Sequence, residues 1–267
     1  MNRTLTAFTA ALVFAASVPS AAAAEAEVTA SVKKALDKTI ASADHARAGK
    51  LSAFYKELMS VQSQDSELTS RVKAQNAANK TAISALNKQI KQIDAPKLAR
   101  LEEEVKSVKE RYAPLLARYT QLNKQLDLSR SVGTKELSSL LRLQLQAMKI
   151  PVQLARLSIK AKEAALKSAK DKAGQTAKKI RGSLEAVEPL QAQIKTKQSV
   201  VKSIDSNMTP LWSSFKQAVK KQEAESALST LTSVVSMSGQ IVKEKQHMLT
   251  LEQKIRDVVA AAKAQLP

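Results

Sequence analysis

The chain has 267 residues, no cysteine, five glycines and eight aromatic residues, and its 43 Lys and Arg against 24 Asp and Glu give a formal net charge of +19. The missing cysteine excludes a disulfide framework, a thiol nucleophile and a thiolate metal site. Two histidines, His45 and His247, are too few for a histidine metal cluster and argue against a Ser-His-Asp triad.

The first segment reads as a processing signal. Met1-Asn2-Arg3 is a short basic start, and Leu5 to Val18 is a 14-residue run without charge. Pro19-Ser20 ends it, and Ala21 to Ala24 offers small-residue cleavage sites before Glu25. The run is too short to cross about 30 Å of hydrocarbon as a helix. Residues 1–24 are therefore read as a signal peptide, and 25–267 as a single elongated helical-bundle region. Cleavage removes one charge of the excess, Arg3, and leaves +18. The expected location is extracytoplasmic (secreted, cell-wall associated or periplasmic) in a bacterium, because an exported chain without cysteine makes no use of an oxidising compartment. Asn79-Lys80-Thr81 and Asn207-Met208-Thr209 fit the glycosylation sequon, a three-residue pattern that chance often produces.

The periodicity of the rest is helical. Ala26–Ala48 reads as a short amphipathic helix ended by Gly49. A long seam comes next, through Leu51, Phe54, Leu58, Val61, Leu68, Val72, Leu86 and Ile93, interrupted by Asp65, Gln75 and Asn79. Polar residues at core positions set register or partner at a cost in stability. The seam then slips phase across Asp94–Lys97, which predicts a turn between two long antiparallel helices. The next helix has the clearest pattern: Leu98, Leu101, Val105, Val108, Tyr112, Leu115, Tyr119, Leu122 and Leu126 at 3-4 spacing. Pro114 should kink it. Glu102-Glu103-Glu104 reads as a first-turn cluster stabilised by the helix dipole. Ser129–Thr134 reads as a loop, with Thr134 as the cap of the next helix.

Lys135–Lys170 combines a polar stripe with apolar residues over most of the remaining circumference. That width suggests the central helix of a bundle, kinked or divided at Pro151. Gly174 and Gly182 punctuate the next stretch of chain, with Ser183 as a cap. Leu184, Val187, Ile194, Val201 and Met208 form a weaker seam. Thr209-Pro210 reads as a helix start, opening a region anchored by Trp212 and Phe215. Near Lys221–Glu225 a short break fits, after which Ile241, Met248, Ile255 and Ala262 recur every seven residues. The expected class is all-α: an elongated bundle of long antiparallel helices with coiled-coil-like, spectrin-like packing.

The polar stripe is the most informative feature. Lys135, Arg142, Lys149 and Arg156 fall seven residues apart, about 10 Å per step along one helix face. Lys160, Lys167 and Lys170 extend the stripe, on which seven of eight charges are positive. These seven residues are the candidate contacts for an anionic polymer or membrane surface. A merely solvated face would mix signs. The basic run Arg156–Arg181 contains no Trp or Phe, which argues against its insertion into a membrane. Sparse aromatics argue against nucleic acid. Unpaired heptad faces would suit homo-oligomers. With no HExxH, GxSxG or Gly-rich loop, an enzyme, a cofactor and a metal are not expected. The preferred function is non-enzymatic binding to an anionic extracytoplasmic surface. The alternatives are a secreted or periplasmic holdase-type chaperone and a helical pore-forming toxin component.

Overall fold

The heptad seams fold as six α-helices in a computed structural model that describes residues 28–267. The expected signal peptide and cleavage site lie outside these residues. The helices are α1 (Ala30–Ser42), α2 (His45–Lys91), α3 (Ala95–Val132), α4 (Lys135–Leu184), α5 (Val187–Lys221) and α6 (Ala224–Lys263). No strand occurs among the described residues. Contacts group these residues into two units. One takes those up to Arg71 with Lys195–Met248, the other Val72–Ile194 with Leu249–Pro267. α2, α5 and α6 contribute to both.

In the first unit, α1 buries Val32, Leu36 and Thr39. The Thr39 hydroxyl donates to the carbonyls of Ala35 and Val219 at 2.9 and 3.1 Å, tying α1 to α5. Trp212 and Phe215 are both buried and stack at 5.1 Å between ring centroids, as core anchors one turn apart should. α5 runs antiparallel to α6, with Lys197 paired to Glu244 at 2.8 Å and Ser238 bonded to Met208. α2 and α6 lie side by side in the same direction. Arg47 meets Glu225, and further along Lys245 meets Asp65 at 2.6 Å and donates to the Thr69 hydroxyl.

The polar residues that interrupt the α2 seam are answered by α6. Asp65 finds Lys245 in the first unit. In the second, Asn79 is buried and its amide donates to the carboxylate of fully buried Glu252 at 2.7 Å and to the Glu252 carbonyl at 2.8 Å. Asn76 donates to the other carboxylate oxygen at 2.7 Å, and Gln75 donates to Asn79. One register satisfies all these groups; a slip would leave a buried charge bare. The sequon at Asn79 is therefore a chance match, because its amide is buried and bonded.

α3 and α4 form an antiparallel hairpin in the second unit. Glu104 pairs with Lys162, Lys109 with Glu163 and Glu102 with Lys170, at 2.8, 2.6 and 2.7 Å. Nearer the turn, Ser129 and Ser138 share a hydrogen bond of 2.9 Å. The turn itself is Gly133-Thr134, with Gly133 at φ 78° and its amide bonded back to α3. A left-handed residue closing a helix is where glycine is favoured.

Several local expectations are corrected. Gly49 does not end a helix. The break lies at Ala43-Asp44, where the Asp44 carboxylate accepts the Arg47 amide at 2.9 Å. Pro151 does not divide α4, nor Gly174 and Gly182 punctuate it; packing carries the helix on to Leu184. Ser183 is no cap: its hydroxyl donates to Lys179 and accepts from Gln265. Thr209-Pro210 starts nothing either. α5 passes through it, with the Thr209 hydroxyl donating to the Asp205 carbonyl at 3.0 Å. Residues 129–132 are helical, and the Thr134 hydroxyl bonds Ser129 rather than the first turn of α4. Glu102–Glu104 lie beyond the first turn of α3, where Lys170 and Lys162 of α4, in place of the dipole, pair with Glu102 and Glu104.

Candidate functional site

The largest correction concerns α4. Its buried side is one 3-4 seam: Ser138, Leu141, Leu145, Val152, Ala155, Ala169, Ala173 and Ile180. Near the turn this seam packs with Leu122 and Leu126 of α3, with Tyr119 and Met148 alongside. The remaining apolar residues do not face a bundle. Leu137, Leu140, Leu143, Ile150, Leu154 and Leu157 are 48–67% exposed, so the first half of α4 is not a central helix. Sequence periodicity groups residues by face; whether a second partner covers that face is decided elsewhere.

This gives α4 two apolar stripes with charge between them. Leu143, Ile150 and Leu157 make one exposed heptad row, and Leu140, Ala147 and Leu154 make the next. Between this ridge and the buried seam lie two polar rows on one flank. The inner row is Lys135, Arg142, Lys149, Arg156, Glu163 and Lys170; the outer row contains Lys160 and Lys167. All seven candidate cations are exposed.

Their partners separate them. Lys170 is held by Glu102, and Arg156 lies 6.0 Å from the centre of the Tyr119 ring. Lys135, Arg142, Lys149, Lys160 and Lys167 make no ion pair among the described residues. The hairpin folds the acid-poor end of α3 beside the acid-poor start of α4. Residues 111–160 hold nine Lys and Arg against Asp127 and Glu136 alone.

One stem acid, Glu104, is shifted in the direction that its ion pairs require. Lys162 first, then Arg100, hold the Glu104 carboxyl below its ordinary 4.5. A carboxylate depressed by folding stabilises above its unfolded pKa, and that contribution is lost as pH falls through the folded value. Acidification below about pH 4.5 should therefore weaken the stem. A thermal melt series should show a steeper loss of Tm on that side in the wild type than in Glu104→Gln.

His45 and His247 are exposed and belong to no such cluster. Sequence reasoning had the basic flank but missed the bare ridge beside it; the available signal was a second heptad row of Leu and Ile in register with the cations. No family model, curated protein or solved structure matches the chain.

Proposed function

We propose that the chain is a non-enzymatic exported protein that binds an anionic extracytoplasmic surface through the basic flank of α4. One observation carries this reading: five exposed cations on one flank of one helix have no ion pair among the described residues, while Lys162 and Lys170 of the same helix pair with Glu104 and Glu102 of α3. A face that only kept a helix hydrated would carry both signs. Each Lys or Arg close to an anionic surface is worth about 1 kcal/mol, or about five-fold in affinity. Changing Lys135, Arg142, Lys149, Lys160 and Lys167 together to Gln should lower binding to cell-wall fractions or anionic vesicles at least about 100-fold at low salt. Cosedimentation measures this, and unchanged binding by the quintuple variant would refute the reading.

The exposed ridge also favours a second reading, a holdase, because bare apolar side chains can cradle an unfolded client. That reading expects suppressed aggregation of a model client at near-stoichiometric ratio. For a pore-forming component, a spanning segment is needed. No helix among the described residues is long and apolar enough to cross a membrane, and Leu137–Ile159 is interrupted by Arg142, Lys149 and Arg156.

A further inference from the structure

Resting on that proposal, we infer that the anionic surface is a lipid bilayer, and that the ridge of α4 lies in its interface. The ridge runs through Leu140, Leu143, Ile150, Leu154 and Leu157, each at least half exposed. It extends over about 25 Å at 1.5 Å per residue. Of the ten large hydrophobic side chains found exposed among the described residues, eight fall within residues 128–157. Scattered exposed leucines need no explanation, but a contiguous row implies something that covers it.

Charge selects the occupant. The row Arg142, Lys149 and Arg156 lies on the same flank as Leu143, Ile150 and Leu157, separated from them by the polar row of Gln146, Gln153 and Lys160. A second copy seated on the ridge would bring its own cation rows to a surface whose only carboxylate on α4 before Glu163 is Glu136. Like charges would face each other with little to answer them. A soluble polyanion, such as a wall polymer, would neutralise the cations and leave the leucines in water. An anionic bilayer surface satisfies both. Headgroup phosphates meet the basic flank while the apolar row enters the boundary between headgroups and acyl chains, as for helices that lie in the interface plane. The opposite side of α4 packs on α3, so the ridge is presented by a helix already folded. Binding then does not have to order it. The leucine row supplies the apolar area that the basic run 156–181, without Trp or Phe, lacks.

The test uses the full chain with three probes: phosphatidylcholine vesicles containing about 30% phosphatidylglycerol, pure phosphatidylcholine vesicles, and linear polyphosphate, a polyanion with no apolar phase. Two variants separate the ridge from the charges. In the first, Leu143, Ile150, Leu154 and Leu157 become Ser; the sites are exposed, so circular dichroism should show unchanged helicity. The second is Leu154→Trp. The wild type should bind the anionic vesicles and polyphosphate. The serine variant should lose at least about ten-fold for the vesicles and keep its polyphosphate affinity within about two-fold. Relative to wild type, Leu154→Trp should add fluorescence that shifts to the blue on anionic vesicles and not on polyphosphate. If the serine variant binds vesicles like the wild type, or the added emission does not move, the lipid assignment is overturned and the anionic-surface proposal stands. It is equally overturned if the wild type is a lipid-free dimer that the serine variant makes monomeric. If the wild type binds none of the three probes, the broader proposal fails as well.

Discussion

Asn79→Asp is expected to cost about 4 kcal/mol of stability, close to the full loss for breaking a buried charged network. Asp occupies nearly the same volume as Asn, so the change opens no cavity. What it alters is one donor. The Asn79 amide supplies two hydrogen bonds, to a carboxylate oxygen and to the backbone carbonyl of Glu252, and Glu252 is fully buried. After the change, two carboxylates face each other at hydrogen-bond distance, and a buried carbonyl loses its partner, itself worth about 1–3 kcal/mol. Asn76 remains bonded to the far oxygen and cannot compensate. Urea unfolding at neutral pH should show a lower midpoint with an unchanged m value. The second change Glu252→Gln decides the cause. In the double variant the new amide of residue 252 can donate to the new carboxylate of residue 79, so more than half of the loss should return. Additive losses would mean that the two side chains do not act as a pair.

The same network shows how far sequence reading reaches. Asp65 and Asn79 stood out as polar residues at seam positions, and register-setting is what they do, opposite Lys245 and Glu252. Their partners were not legible, since 173 to 180 residues separate them and only the tertiary fold joins them. The α3 seam from Leu98 to Leu126 was fully legible because each residue repeats the same 3-4 rule, as was the interruption after Ile93, where the phase slips. Local breakers misled. Gly49, Gly174, Gly182 and the pair Thr209-Pro210 all sit inside helices, because burial of a long seam outweighs about 1 kcal/mol per glycine and the one hydrogen bond that a proline removes. In α4 the heptad spacing placed the cations correctly. Their number beside the acid-poor half of α3, and the bare ridge next to them, became visible only when the hairpin closed.

Charge and packing thus divide the α3–α4 hairpin into two halves. In the stem, acids meet bases across the pair and the seam runs through small residues such as Ala169 and Ala173. Toward the turn the interhelix ion pairs stop, and apolar side chains appear on both the inner and the outer face of α4. A stem that holds itself together leaves the other half free to meet something else, and this arrangement ties the proposed site to the fold.

Phe215→Ala is expected to cost about 3–5 kcal/mol, the range for truncating a fully buried phenylalanine. Phe215 is 1% exposed and stacks on Trp212 at an interplanar angle of 24°, with Ala218 and Val219 of the same helix buried beyond it. Deleting the ring removes its transfer energy, the stacking contact and the dispersion contacts of everything that lined it. α5 cannot close over the gap, because a helix moves as a rod. Trp212 is the only tryptophan, so its emission reports the loss directly. The spectrum of the folded variant should shift to the red, and the denaturation midpoint should fall. Phe215→Leu should recover most of the loss, since it keeps the bulk and gives up chiefly the stack, worth about 0.5–1.5 kcal/mol. Phe215 belongs to the unit formed by residues up to Arg71 with Lys195–Met248, whereas the basic flank belongs wholly to the other. At a temperature where the variant is still folded, its affinity for anionic vesicles should match the wild type. A large drop in vesicle binding by the folded variant would show that surface recognition depends on this core as well as on α4.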